Sequence, residues 1–204
     1  MNLSKLRLTK YLIPVAIILA SCSGNPVPKP RGYYRIDLPA HHYQHFDTTF
    51  PFAFEYPVYS KIVKDSSSIA EPYWINIVYL PFHAQLHISY KPVHKNLATY
   101  LDDAHTLVNK HIPKANAIGQ QAYENPSENV YGLVYEIRGS GAASPFQFYL
   151  TDSTRHFVRG ALYFDLVPNN DSLAPVIDFL KEDIRHMINT FHWKNQEKTS
   201  SLKK

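Results

Sequence analysis

Three runs in the second half of the chain decide the fold: Val130–Arg138 (VYGLVYEIR), Phe146–Thr151 (FQFYLT) and His156–Phe164 (HFVRGALYF). Each is rich in β-branched and aromatic residues, which suit a pleated, half-buried surface. Gly139-Ser140-Gly141-Ala142-Ala143-Ser144 separates the first two, and Asp152-Ser153-Thr154-Arg155 the second two. Such small and polar breaks predict turns. In the middle run Phe146, Phe148 and Leu150 alternate with Gln147, Tyr149 and Thr151, so one face is expected in a core. The three runs read as an antiparallel meander.

Working outward, residues 53–56 and 59–63 are candidate strands, followed by a Lys64-Asp65-Ser66-Ser67-Ser68 turn. Residues 74–80 and 85–90 are β-rich and able to pair around Pro81-Phe82. A helix fits residues 97–112, with Leu97, Leu101, Ala104, Val108 and Ile112 on one face and Pro113 ending it. A last helix is specified by Leu173, Val176, Ile177, Leu180, Ile184, Ile188 and Phe191 at helical spacing. Asp171 or Ser172 is expected to cap it, with Pro175 in its first turn. Strands grouped between two helices, without alternating βαβ units, predict a single α+β domain. Its sheet is mainly antiparallel, with the two helices packed on it.

The 204 residues suit one domain of ordinary size. Hydrophobic residues at 45% and charged residues at 19% exclude a disordered chain or a coiled coil. The net charge of +4 belongs to the chain ends: between residues 22 and 193 there are 14 Lys or Arg against 16 Asp or Glu. A nucleic-acid partner is therefore not expected.

Residues 1–21 read as an export signal: Lys5, Arg7 and Lys10 precede a short apolar run over residues 11–19. Leu19-Ala20-Ser21-Cys22 resembles the lipobox of bacterial lipoproteins, whose cysteine is alkylated by a diacylglyceryl group and then acylated at the new amino terminus. Cys22 is the chain's single cysteine and the expected lipidation site. Three acyl chains exceed the two-signal threshold for stable anchoring. An uncleaved anchor, or an ordinary export signal beside a chance Cys, is the alternative. Ser23 follows the cysteine where an Asp would signal inner-membrane retention, so the expected location is the periplasmic face of the outer membrane. Residues 22–32 form a tether stiffened by Pro26, Pro28 and Pro30. The folded domain is expected over 33–193, and residues 194–204 read as a basic, flexible tail.

Candidate chemistry is sparse. On one strand face His83 and His87 stand about 13 Å apart at about 3.3 Å per residue, too far to clasp one ion. His41, His42 and His45 form a loop cluster whose nearest acid in sequence is Asp47. Neither set predicts a metal site, and no cofactor is expected. Asp102-Asp103 and Glu182-Asp183 fall on the polar sides of amphipathic helices, where solvated carboxylates are the expectation. No nucleophile elbow, zinc-protease or phosphate-loop motif occurs, so the chain does not read as an enzyme. Gly139-Ser140-Gly141 is a weak candidate for holding an anion.

Tyr33, Tyr34, Tyr43, Phe46, Phe50, Phe52, Phe54, Tyr56 and Tyr59 crowd one stretch, as sheet core and edge or as a docking patch. Pro28, Lys29, Pro30, Arg31, Tyr33, Tyr34 and Arg35 combine stiffness, cations and rings in a way suited to a partner contact. Packing of Tyr33 and Tyr34 as a first strand is the alternative.

These residues carry a resemblance. The lipobox followed by Pro28-Lys29-Pro30-Arg31-Gly32-Tyr33-Tyr34-Arg35-Ile36-Asp37-Leu38-Pro39 resembles the start of the gliding motility lipoprotein GldD family of Bacteroidetes. Phe50-Pro51-Phe52-Ala53-Phe54-Glu55-Tyr56, Trp74-Ile75-Asn76-Ile77, residues 83–90, Arg159-Gly160-Ala161-Leu162-Tyr163-Phe164, Pro168-Asn169-Asn170-Asp171-Ser172 and Phe191-His192-Trp193 extend it over nearly the whole mature chain. Phe50 stands where relatives carry a Cys, so a thiol role there does not extend to this chain. The resemblance implies an envelope-anchored, non-enzymatic accessory of the gliding and type IX secretion machinery, with protein partners in that apparatus. The element order is similar to PsbP-like domains, an analogy of fold alone. A periplasmic small-ligand or glycan-binding lipoprotein is the alternative, and an aromatic-lined pocket with convergent polar groups would favour it.

Overall fold

Phe146, Phe148 and Leu150 are at most 1% exposed, as their alternation predicts, but Gln147 and Thr151 on the opposite face are buried as well. The reason is that the two helices cover opposite faces of the sheet. The computed structural model describes residues 36–194. The expected signal peptide, Cys22, the tether, the contact residues Pro28, Lys29, Pro30, Arg31, Tyr33, Tyr34 and Arg35, and the tail from residue 195 lie outside the described residues.

The strands are β1 (Tyr43–Phe46), β2 (Phe52–Pro57), β3 (Lys61–Lys64), β4 (Ile75–Tyr79) and β5 (Ala84–Pro92). After helix α1 (Leu97–Asn109) come β6 (Ala117–Asn125), β7 (Val130–Arg138), β8 (Phe146–Thr151) and β9 (His156–Phe164). Helix α2 (Asn170–Thr190) and the short β10 (His192–Trp193) close the domain. Seven strands form one sheet in the order β3-β4-β5-β9-β8-β7-β6, and β1-β2-β10 form a separate three-stranded ribbon. Every pairing is antiparallel, so the expected α+β class is observed.

The main core lies between one sheet face and a cover made of the ribbon and α2. It joins Ile77 of β4, Leu86 of β5, Leu162 of β9 and Phe148 of β8 to Phe52 and Phe54 of β2 and to Leu180, Ile184 and Ile188 of α2. Gly160 sits opposite Phe148 in register, and a Cβ there would lie 2.1 Å from the Phe148 ring. Only glycine lets that ring cross onto β9. On the other face α1 packs Ala104 against Phe157, and Val108 against Tyr135 and Ile137.

Several expectations are corrected. Helix α1 stops at Asn109, and Ile112 is exposed in a 3-10 turn over Ile112–Lys114. Pro113 lacks an N–H and disfavours helical geometry at the residue before it, so the break falls earlier than periodicity suggested. Helix α2 starts two or three residues earlier than expected, with Asn169 and not Asp171 or Ser172 at its N-cap, no side-chain cap bond and Pro175 inside it. The edge strand β6 is absent from the sequence reading, because its residues are mostly exposed and Gln120, Gln121 and Glu124 mask its period. Lys194, assigned to the tail, is held to the ribbon: its N–H donates to the Pro51 carbonyl at 2.8 Å, and its ammonium contacts Asp47.

Candidate functional site

The α1 side of β5 and β9 is only partly covered. Gln85, His87, Ser89 and Lys91 point to this side from β5, and Arg159, Ala161 and Tyr163 from β9, as strand alternation requires. Of these, His87, Ser89, Lys91, Arg159 and Tyr163, together with Tyr100, Ala104 and Leu107 of α1 and Asp65, Ile69 and Trp74 on the far side, line a pocket of about 470 Å³. Its walls are mainly aromatic and aliphatic. The Tyr100 ring lies 5.5 Å from Phe157, and the His87 ring meets Tyr163 edge-on at 5.4 Å.

Arg159 is the unusual group on the floor. Its register partners are Ser89 on β5 and Tyr149 on β8, and it is half-buried. The guanidinium donates to Oε1 of Gln147 and lies beside the Tyr163 side chain. Among the described residues no carboxylate pairs with it. Burial pulls its pKa below the usual arginine range. Gln147 is fixed from both ends, since its amide nitrogen lies 2.9 Å from Nε2 of His111. An amide donor there makes His111 Nε2 the acceptor, hence a neutral imidazole. Burial, then the Arg159 charge, lowers the pKa of His111. His87 is lowered first by burial, against the pull of Asp65 and Asp165. The floor therefore carries one fixed positive charge beside His87, and Gln147, backed by His111, holds its guanidinium from outside the pocket lining. Lys91 is already paired with Glu71 and stands 5.5 Å over the Trp74 ring.

A second cluster lies on the other side of the sheet. Asp183 of α2 is fully buried. Its Oδ1 lies 2.7 Å from His41 Nδ1 and accepts from the Tyr43 hydroxyl at 3.0 Å, while Oδ2 accepts from Tyr59. His41 Nε2 also faces Glu182 at 3.1 Å. The Tyr43 ring stacks on His186 at 3.5 Å, and His186 Nε2 reaches Glu55 at 2.6 Å. Burial, followed by the bond to Asp183, raises the pKa of Tyr43 and Tyr59 well above the ordinary phenol range. This network fastens the segment before β1 to the middle of α2.

These positions correct the expectation of solvated carboxylates at one residue. Glu182 is exposed, but Asp183 lies inside, because it falls four residues after Phe179 and four before Met187 on the buried face of α2. His41 and His45 do meet acids, from α2 and β2: His41 Nδ1 lies 2.7 Å from Asp183, and His45 Nδ1 stands 3.4 Å from Glu55. Asp102 and Asp103 are exposed on α1. His83 sits in the turn before β5 and His87 within it. Among the described residues no group of three His, Cys, Asp or Glu side chains is arranged to hold a metal ion. The Gly139–Gly141 loop turns carbonyls, not N–H groups, toward a partner: Asn170 Nδ2 donates to Gly139 O and Ala142 O, both at 2.9 Å. That geometry latches the loop to the start of α2 and does not suit an anion.

The described part of the aromatic crowd is core. Phe46, Phe52, Phe54 and Phe191 form a contiguous stack, and Phe50 fills a slot against Phe46, Phe52 and Tyr73 at 5.1–5.6 Å. Sequence reasoning missed Arg159, His111 and the buried role of Asp183. For Arg159 the signal was an arginine in the middle of a nine-residue apolar run.

No curated protein matches the chain. Among solved structures it is similar to the cyanobacterial PsbP protein CyanoP from Synechocystis sp. PCC 6803, at 13% identity and a TM-score of 0.46, covering 84% of this chain and 99% of that one. The family model of the gliding motility lipoprotein GldD matches residues 23–193, which take in the whole ribbon, the seven-stranded sheet and both helices. The chain belongs to the gliding motility lipoprotein GldD family.

Proposed function

We propose that this membrane-anchored lipoprotein of the cell envelope serves gliding motility as a non-enzymatic interaction module that also assists type IX secretion. The observation that carries this is the family match across the entire described domain. The anchor is the acylated Cys22, left when residues 1–21 are removed, and the domain faces the periplasm from the outer membrane. Residues 22–32 are the tether, and Pro28, Lys29, Pro30, Arg31, Tyr33, Tyr34 and Arg35 are the partner contact at its neck.

Two variants test this. Cys22→Ala is expected to leave a folded domain that is released from the membrane or left unprocessed, with gliding and secretion lost. Mutant protein in the membrane fraction at wild-type level, with labelled acyl chains in neither form, would overturn the anchor. Replacing residues 28–31 by Gly/Ser of equal length spares domain and anchor. Loss of gliding at normal abundance supports a contact there; full function makes the segment a leash.

A second reading is favoured by the pocket over β5 and β9. Its size falls in the range of about 300–1,000 Å³ typical of ligand sites, with apolar walls and a convergent polar floor. On this reading the module also binds a small ligand.

A further inference from the structure

We infer that the pocket over β5 and β9 takes a single carboxylate carried on an apolar or aromatic body, with the Arg159 guanidinium as its counter-ion. The inference rests on the second reading above and specifies its ligand.

A half-buried guanidinium held only by neutral acceptors is oriented but not neutralised. Gln147 orients it, and no carboxylate of the described domain meets it. Taking a charge from water without an opposite charge is costly, and the cost is recovered when an anion arrives. The planar fork of arginine matches a carboxylate with two parallel bonds. Lys91 is committed to Glu71, so the floor offers one free positive charge and not two. Asp65 and Asp103 line the same pocket and disfavour a second negative charge. A monoanion fits this balance better than a phosphate dianion. Trp74, Tyr100, Phe157, Ile69 and Leu107 supply the surface for an apolar body.

The same chemistry is found in a free organic acid and in the C-terminal residue of a partner polypeptide. The full chain, purified with its anchor, is titrated with phenylacetate, with phenylacetamide, and with the peptide Ala-Ala-Phe as free acid and as C-terminal amide. Trp74 fluorescence and calorimetry report binding. Each acid is expected to bind at least about tenfold more tightly than its amide, a ratio that Arg159→Gln abolishes and Arg159→Lys partly keeps. Tighter binding of the peptide acid than of phenylacetate assigns a polypeptide C-terminus; the reverse assigns a free acid. If Arg159→Gln fails to fold, Leu107→Trp, which fills the pocket from α1, must block the acid instead. Equal binding of acid and amide overturns the carboxylate and leaves the pocket as a ligand site. Absence of saturable binding by all four probes overturns both, and neither result touches the accessory role in gliding.

Discussion

Replacing Asp183 by Ala removes the one carboxylate that His41, Tyr43 and Tyr59 share. The side chain is fully buried, so water cannot take its place without opening the core. A hydrogen bond to a charged group contributes about 1.5–3 kcal/mol, and leaving buried partners unpaired adds their desolvation. The three bonds do not sum, because His41 and Tyr43 are partly exposed and regain solvent. The expected loss is about 3–5 kcal/mol, one charge-assisted bond to Tyr59 plus the desolvation of the hydroxyl it leaves unpaired. For a chain of this size each kcal/mol moves the melting midpoint by about 2–4 °C, so Tm should fall by about 6–20 °C. Circular dichroism melts of the purified protein read this directly. Tyr59→Phe and the double variant complete a cycle whose coupling should be about 1–3 kcal/mol. A loss below about 0.5 kcal/mol for Asp183→Ala would refute the buried network as a fastening of α2.

Two further outcomes concern stability. Leu180→Ala or Ile184→Ala, both at 0% exposure under the sheet, should each cost about 2–5 kcal/mol by lost transfer energy and cavity formation, and an unchanged midpoint would place α2 elsewhere. Alkali should unfold the domain: burial raises the Tyr43 and Tyr59 hydroxyls, and pushes Tyr90 and Tyr135 up to about 12. Unfolded tyrosines ionise near pH ~10, so the fold binds the extra protons, and stability is full below that pH and is lost as pH rises from there through the raised folded values, about 12 for Tyr90 and Tyr135. A denaturation midpoint that stays flat from about pH 9 to about pH 12 contradicts this assignment.

The elements legible in the sequence are those whose period is set by one buried face. Phe146, Phe148 and Leu150 announced β8, and the spacing from Val176 to Ile188 announced α2. Strand β6 escaped because an edge strand gains its place from pairing with β7, and backbone hydrogen bonds leave no mark on side-chain pattern. The ribbon partner β10 escaped for the same reason, being two residues long. Asp183 was misassigned by residue type, although its spacing from Phe179 and Met187 placed it on the buried stripe. The pocket was not legible at all. It depends on register, which sets Arg159 beside Ser89 and brings Gln147 within reach, and no single run encodes that juxtaposition.

Strand β1 has a mechanical consequence. A pull arriving through residue 36 meets His41 and Tyr43 first, and they are fastened to α2. Beyond them β1 is zipped to β2 by four pairs, from Tyr43↔Pro57 at the open end to Phe46↔Phe54 beside the connecting turn. Tension at the open end of an antiparallel hairpin parts its pairs one after another, where a sheared ladder would have to break them together. Strand β2 remains held by β10 and α2 when β1 leaves, and neither the seven-stranded sheet nor its pocket includes β1. The domain thus carries a fuse at its entry: under a load applied at residue 36 this short ribbon strand parts first, and the seven-stranded sheet and its pocket hold.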